Sequence, residues 1–135
     1  MNKRMKLLIV DDDQYIINLI TTIAGKHGAE VTSYTNVADA LRKLMEEEFD
    51  TVLVDLHLPG MDGLSAIPLV RELDPDINIG LMTSDTRPDV KARVLTGGAD
   101  FFLQKPDDIM KLWDVLQRCA RKEVADVNDS ATGRV

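Results

Sequence analysis

The segment TVLVDLHLPGMDGL, residues 51–64, decides the fold class of this chain. It opens with the run Thr51–Val54, in which three apolar residues follow one another directly instead of alternating with polar ones. That pattern is typical of a parallel strand covered on both faces. Asp55 closes the run, and Gly60 and Gly63 are expected in turns that need an unusual φ. The segment therefore predicts a buried strand that leads through a tight turn into a helix.

Short apolar runs and longer amphipathic stretches alternate along the chain. The other runs, which predict four more strands, are Lys6–Val10, Glu30–Tyr34, Ile77–Met82 and Phe101–Leu103. Between the runs, apolar residues recur at helical spacing, and Asn36 is a suitable N-cap for a helix over Val37–Glu47. Five strands alternating with five helices predict an α/β domain, a doubly wound five-stranded parallel sheet with helices on both faces. Pro68 falls inside the third predicted helix and predicts a late start or a kink there.

Length and composition limit what the chain can be. Its 135 residues suit one domain, which we expect over residues 4–122, with 123–135 as a polar tail or the start of a linker. Acidic residues outnumber basic ones by 23 to 16, which argues against direct nucleic acid binding by this segment. The single cysteine excludes an intrachain disulfide framework. No segment approaches the ~20 apolar residues of a membrane span, so we expect a cytoplasmic protein with no membrane contact.

Polar side chains follow four of the five predicted strands. Asp11 and Asp12 close the first strand, Asp55 the third, Thr83 the fourth and Lys105 the fifth. Ligands of open parallel sheets bind outside the carboxyl ends of the strands, so these side chains converge if the second strand is an edge. Clustered carboxylates repel one another unless a cation neutralises them, and oxygen ligands suit Mg²⁺. Together with a lysine and a hydroxyl they predict phosphoryl transfer, with Asp55 as the nucleophile.

Each of these residues alone has a simpler interpretation. An aspartate at a strand end is often a helix N-cap, Asp55 alone could be a turn residue, and Lys105 with Pro106 could be an ordinary loop. Four such features at four adjacent strand ends are much harder to produce by accident.

Four motifs of the chain resemble the receiver domain of two-component response regulators, of the CheY-like type. They are LLIVDDD (7–13), TVLVDLHLPGMDGL (51–64), LMTSD (81–85) and FFLQKP (101–106). The resemblance covers residues 4–122 and implies the flavodoxin-like strand order 2-1-3-4-5, for which a chemotaxis receiver is a standard example.

The resemblance implies a Mg²⁺-dependent phosphorylation site. Asp55 would accept a phosphoryl group from a sensor histidine kinase, a phosphotransfer protein or a small phosphodonor. Asp11, Asp12, Asp55 and the backbone carbonyl of His57 would hold Mg²⁺, for which Mn²⁺ could substitute. Thr83 and Lys105 would each bind a phosphoryl oxygen.

The resemblance also implies a switch around that site. Thr83 would move towards the phosphoryl group, Phe102 would be the switch aromatic, and the face of the fourth helix, fifth strand and fifth helix would change. The Lys105–Pro106 peptide bond is expected to be cis. His57 and Asp85 flank the site and could together set the lifetime of the phosphorylated state. The domain would catalyse only its own phosphorylation and dephosphorylation, and the sequence does not identify its downstream effector.

Three other functions fit the fold less well. An aspartyl-phosphate phosphatase would carry a second aspartate two positions after the nucleophile, where this chain has His57. A flavin-binding electron carrier would need a Ser, Thr or Gly phosphate loop after the first strand, where three aspartates would repel a phosphate. A receiver that serves only as an unphosphorylated interaction module stays open, although the complete set of site residues argues against it.

Overall fold

This computed structural model describes residues 4–120, so the expected tail or linker over 123–135 and the last two residues of the predicted domain lie outside the described residues. The strands in that part are β1 (Lys6–Val10), β2 (Glu30–Tyr34), β3 (Thr51–Asp55), β4 (His57–Leu58), β5 (Met61–Asp62), β6 (Asn78–Thr83) and β7 (Phe101–Gln104). The helices are α1 (Gln14–Lys26), α2 (Val37–Glu46), α3 (Gly63–Leu73), α4 (Val90–Thr96) and α5 (Leu112–Ala120), and a 3-10 helix (Asp107–Lys111) leads into α5. None of the described helices is long and apolar enough to cross a membrane.

Five of the strands form one parallel sheet in the order β2-β1-β3-β6-β7. Since β6 and β7 are the fourth and fifth predicted strands, the doubly wound fold and the order 2-1-3-4-5 are confirmed. The register pairs Val10 with Val54 and Asp55 with Met82, so β1, β3 and β6 end side by side. The two short strands β4 and β5 form an antiparallel pair directly after β3.

Apolar residues cover both faces of the sheet. One cluster joins the sheet to α2, α3 and α4, and the other joins it to α1 and α5. Phe102 belongs to the first cluster and its neighbour Phe101 to the second, because successive residues of a strand point to opposite faces. The central strands are therefore buried on both sides, which explains their uninterrupted apolar runs.

The beginning of α3 differs from the expectation based on Pro68. The helix begins at Gly63, well before the proline, so the predicted late start is wrong. Its first turn is set by Asp62, whose Oδ1 accepts the N–H of Leu64 at 2.9 Å. Pro68 lies on the exposed side of the helix. The N-cap, and not the proline, therefore decides where α3 begins.

Candidate functional site

The carboxyl ends of β1, β3 and β7 bring three charged side chains together. Nζ of Lys105 donates to Oδ2 of Asp11 at 3.0 Å and to Oδ2 of Asp55 at 3.3 Å. The Asp11 side chain is fully buried, and those of Asp55 and Lys105 are only 8% and 9% exposed. One ammonium group therefore forms hydrogen bonds with two carboxylates, and all three groups are largely buried.

Asp12 adds a third carboxylate at the exposed rim of this group. One oxygen from each of Asp11, Asp12 and Asp55 lies within 4.8 Å of the other two. Three carboxylates and one ammonium leave an excess of negative charge in a small space. Such oxygen donors suit a hard divalent cation, so the residues present fit the Mg²⁺ site that the sequence predicts.

Backbone amides orient two of these carboxylates. Oδ1 of Asp11 accepts the N–H of Asp13 at 2.9 Å, and Oδ1 of Asp55 accepts the N–H of His57 at 3.2 Å. In both residues Oδ2 is the oxygen that meets Lys105. The two carboxylates are therefore held from both sides, which aligns them before any ligand arrives.

Gly63 allows α3 to approach the backbone of Asp55. A Cβ at position 63 would lie 2.5 Å from the carbonyl oxygen of Asp55 and 2.9 Å from Cα of Leu56. Of the two glycines expected to need an unusual φ, Gly60 has a positive φ of 80°, whereas Gly63 does not belong to the positive-φ glycines. The expectation for Gly63 is wrong because close packing, and not backbone conformation, requires the glycine there.

Burial and charge shift the pKa values in this group. Burial, and to a lesser extent the charge of Asp55, raises the pKa of Asp11 from 3.8 to about 6, although the Asp13 amide and Lys105 oppose the shift. Burial alone would lower the pKa of Lys105, but the hydrogen bond to Asp11 and the charges of Asp11 and Asp55 outweigh it and raise that pKa. Lys105 therefore stays positively charged, while Asp11 is costly to ionise without a further cation.

Thr83 ends β6 at the same edge of the sheet. Its buried hydroxyl oxygen accepts the N–H of Asp85 at 3.0 Å, and its carbonyl oxygen accepts the N–H of Lys105 at 2.7 Å. The Lys105–Pro106 peptide bond is cis. Thr83 thus contacts both the loop after β6 and the residue that supplies the ammonium group.

Phe102 is the second residue of β7, inside the stretch of this strand that pairs with β6. It pairs in register with Leu81 and is buried in the cluster that contains Val90 and Val94 of α4. The ring is therefore turned towards α4 and not towards solvent.

His57 and Asp85, each two residues after a residue of the proposed site, contact each other. Nε2 of His57 lies 3.3 Å from Oδ2 of Asp85, and the side chains are 58% and 14% exposed. Arg87, a residue that the sequence analysis missed, places its Nε 3.0 Å from both carboxylate oxygens of Asp85. The hydrogen bonds from Arg87, together with that from His57, hold the pKa of Asp85 well below its usual range. The segment after β3 and the loop after β6 are thus joined beside the site.

The sequence analysis also missed the buried carboxylate of Asp108. Two acids, Asp107 and Asp108, directly follow Pro106 in the sequence. The first is exposed and the second is buried. The sequence showed only that two acids lie two and three residues after Lys105. Which of the two is buried is visible only in the structure.

The sequence matches the response regulator receiver domain over residues 7–117. The response regulator protein PilR of Pseudomonas aeruginosa is 31% identical over 118 residues, which make up 87% of this chain and 26% of that protein. The transcriptional regulatory protein PrrA of Mycobacterium tuberculosis is 30% identical over 101 residues, 75% of this chain and 43% of that protein. The chain thus spans less than half of the length of these two relatives.

Solved structures of similar sequence have the same fold. The chemotaxis response regulator CheY4 of Vibrio cholerae is 29% identical, with a TM-score of 0.77, and the match covers 86% of this chain and 98% of that one. A response regulator protein from Burkholderia pseudomallei is 28% identical, with a TM-score of 0.75, over 87% of this chain and 69% of that one. The crystal structure of the latter contains a phosphorylated aspartic acid, a calcium ion and citrate.

Proposed function

The chain belongs to the response regulator receiver domain family, whose members are phosphorylation-activated switches of two-component signalling, and we propose that Asp55 is the residue that accepts its phosphoryl group. One observation supports this assignment above the others. The buried carboxylate of Asp55 shares the ammonium group of Lys105 with Asp11, at 3.3 Å and 3.0 Å. A nucleophile, a fixed positive charge and a group of acidic ligands are thereby available at one point.

The reaction transfers a phosphoryl group to a carboxylate oxygen. An oxygen of Asp55 attacks the phosphorus of a phosphohistidine on a sensor kinase or phosphotransfer protein, or of a small acyl phosphate. The new O–P bond forms as the P–N or P–O bond of the donor breaks, and the leaving imidazole takes up a proton. Lys105 stabilises the charge on a phosphoryl oxygen, because its ammonium group is already desolvated and aligned beside Asp55.

Asp11, Asp12, Asp55 and the backbone carbonyl of His57 are the proposed ligands of Mg²⁺, with Mn²⁺ as a substitute. The three carboxylates supply oxygens within 4.8 Å of one another, and burial, with a smaller contribution from the charge of Asp55, raises the pKa of Asp11 and makes its ionised form costly without a cation. When bound, the cation neutralises charge on the carboxylates and on the transferred group. The crystal structure of the similar Burkholderia pseudomallei protein contains a calcium ion, which supports the proposal of a divalent cation here.

The proposed switch begins at Thr83. Its hydroxyl oxygen accepts the Asp85 amide at 3.0 Å, so turning towards a phosphoryl oxygen gives up that bond and frees the loop before α4. Phe102 packs in the same cluster as Val90 and Val94 of α4, so a shift of α4 reaches this ring. The face formed by α4, β7 and α5 then favours a second arrangement, which a downstream partner selects.

We propose that the protein acts in the cytoplasm and that a sensor histidine kinase or a phosphotransfer protein supplies its phosphoryl group. The output passes to an effector domain or a separate effector protein, since the curated relatives are longer than this chain. The chemistry is confined to the domain's own phosphorylation and dephosphorylation, without turnover of an external metabolite.

Acetyl phosphate tests the phosphorylation site directly. In the presence of Mg²⁺ the protein should gain one phosphoryl group by intact-mass analysis, and Asp55→Asn should gain none. Asp76→Asn, an exposed aspartate between α3 and β6, removes the same charge and should behave as the wild type. Wild-type protein that stays unmodified while a known receiver is modified in the same reaction contradicts the proposal.

A Mg²⁺ titration tests the ligand assignment separately. Trp113 stacks on His27 with ring centroids 4.4 Å apart and borders a groove at the amino end of the sheet, so its fluorescence is a poor reporter of the site. Backbone amide NMR signals of residues 11–13 are better placed. Asp12→Ala should weaken binding, and an unchanged affinity would remove Asp12 from the ligand set.

A further inference from the structure

The described residues contain three buried aspartates, of which the proposed reaction uses two. Asp11 and Asp55 belong to the site around Lys105, and the third is Asp108 in the 3-10 helix. The Asp108 side chain is 8% exposed, and the nearest cation, Nζ of Lys111, is 3.7 Å away on a side chain that is 55% exposed. This long contact at the surface does not explain why a carboxylate is buried here.

The closer partner of Asp108 is a backbone amide four residues earlier. Oδ2 of Asp108 accepts the N–H of Gln104, the last residue of β7, at 2.8 Å. The carboxylate therefore closes a loop of five residues, Gln104 to Asp108, that contains Lys105 and Pro106. The 3-10 helix itself has Pro106 at its N-cap and no side-chain cap, so this bond serves the loop and not the helix end.

The position of β7 explains why the Gln104 amide needs a side-chain partner. Within the described sheet β7 is an edge strand and pairs with β6 alone. The next amide, that of Lys105, points to β6 and donates to the carbonyl of Thr83 at 2.7 Å. Successive amides of a strand point in opposite directions, so the Gln104 amide points away from β6. Asp108 supplies the acceptor that a sixth strand would otherwise provide.

We propose that Asp108 is a positioning residue for phosphoryl transfer, which acts by holding the backbone from which Lys105 extends. The inference rests on the role proposed for Lys105 above. Three hydrogen bonds hold this backbone. The Gln104 amide donates to Asp108, and the Lys105 amide donates to the Thr83 carbonyl. The Gln104 side chain donates to the same Thr83 carbonyl at 3.2 Å. A lysine side chain has many rotamers, so a defined starting point is needed to bring Nζ to both Asp11 and Asp55.

Single substitutions measure the size of the effect. Asp108→Ala should slow phosphorylation by acetyl phosphate and Mg²⁺ by about 10-fold to 100-fold, the range expected when a catalytic group moves by up to about 1 Å. Asp108→Asn keeps a carbonyl oxygen for the Gln104 amide and should recover most of the rate. Asp107→Ala removes the same charge from the exposed neighbouring residue and should match the wild type.

A double-mutant cycle distinguishes positioning from a general structural role. If Asp108 acts through Lys105, Asp108→Ala should cause no further loss in a Lys105→Met background. An equal loss in both backgrounds, or a wild-type rate for Asp108→Ala, overturns the inference. If the alanine variant does not fold, Asp108→Asn provides the same comparison, because its smaller loss must also vanish in the Lys105→Met background.

The same measurements separate this inference from the proposed function. Wild-type protein that is not phosphorylated, or a Lys105→Met variant as fast as the wild type, contradicts the proposed function and the inference with it. A slow Lys105→Met variant beside a fast Asp108→Ala variant overturns the positioning role alone.

Discussion

The ring of Phe101 in β7 occupies the space that a side chain on Gly80, its cross-strand neighbour in β6, would need. A Cβ at position 80 would overlap ring atoms Cε2 and Cζ and would lie 2.9 Å from Cδ2 of Leu53. The glycine in this strand therefore follows from the packing of a large aromatic residue in the core between the sheet and the helices α1 and α5.

The first prediction is that Gly80→Ala destabilises the fold by overpacking. The free energy of unfolding should fall by about 1–3 kcal/mol, because the added methyl group would overlap the fully buried Phe101 ring. Urea denaturation followed by circular dichroism measures this. The control is Gly25→Ala in α1, where a Cβ meets nothing within 4 Å and should stabilise the helix by about 0.5–1 kcal/mol. Equal stabilities of the Gly80→Ala variant and the wild type would show that the ring has another position.

The second prediction concerns Gly63 and the proposed phosphorylation site. Gly63→Ala should destabilise the protein by about 1–3 kcal/mol and also slow phosphorylation of Asp55, because the added methyl group pushes against the Asp55 carbonyl. Gly80→Ala should also lower the free energy of unfolding. For each kcal/mol lost, however, its phosphorylation should slow less than that of Gly63→Ala, because its clash lies with core side chains. Rates with acetyl phosphate and unfolding free energies for both variants test this contrast. The interpretation fails if both variants lose rate in the same proportion to stability.

The third prediction is a pH dependence of Mg²⁺ stabilisation. The pKa of Asp11 is about 6 in the folded protein and 3.8 without the shift, so between about pH 4 and pH 6 the folded state binds more protons than the unfolded state. Without metal, this group therefore makes the protein less stable as the pH rises through that range. Mg²⁺ binds the ionised carboxylate, so the gain in melting temperature on adding Mg²⁺ should grow from pH 5 to pH 7.

An Asp11→Asn variant is the matched control for this titration. It lacks the ionisable group, so without metal its stability should not show the decrease between about pH 4 and pH 6 that Asp11 causes in the wild type. Thermal melts in EDTA and in Mg²⁺ at each pH provide the measurement. A Mg²⁺ gain that is the same at pH 5 and pH 7 contradicts the assignment of the shift to this site.

The fourth prediction concerns the lifetime of the phosphorylated state. His57 and Asp85 are 3.3 Å apart beside the site, so His57→Ala should remove this contact and give water easier access to the phosphoryl group. The half-life of the phosphorylated protein should shorten several-fold after removal of the phosphodonor, as followed by intact-mass analysis. His27→Ala, at the opposite end of the sheet, should leave the half-life unchanged. An unaltered half-life in His57→Ala would assign the control of hydrolysis to other residues.

The sequence by itself determined the order and class of the five strands of the parallel sheet and of the five α-helices, but not the short β4–β5 pair or the 3-10 helix. Consecutive apolar residues in Lys6–Val10 and Thr51–Val54 predict strands buried on both faces, and these strands are present in the parallel sheet. Strand ends are local features, so the sequence also named Asp11, Asp55, Thr83 and Lys105 as candidates for one site. Their convergence followed from the rule that parallel strands end at the same edge of a sheet.

Only the tertiary structure decided which neighbours meet. Lys105 and Asp11 are 94 residues apart in the chain, and their 3.0 Å contact depends on the register of the four strands β1, β3, β6 and β7. The two adjacent acids Asp107 and Asp108 look alike in the sequence, yet only the second is buried, because an edge strand left the Gln104 amide without a strand partner. Periodicity encodes the local conformation of the backbone, whereas burial, close approach and pKa depend on residues that are distant in the sequence.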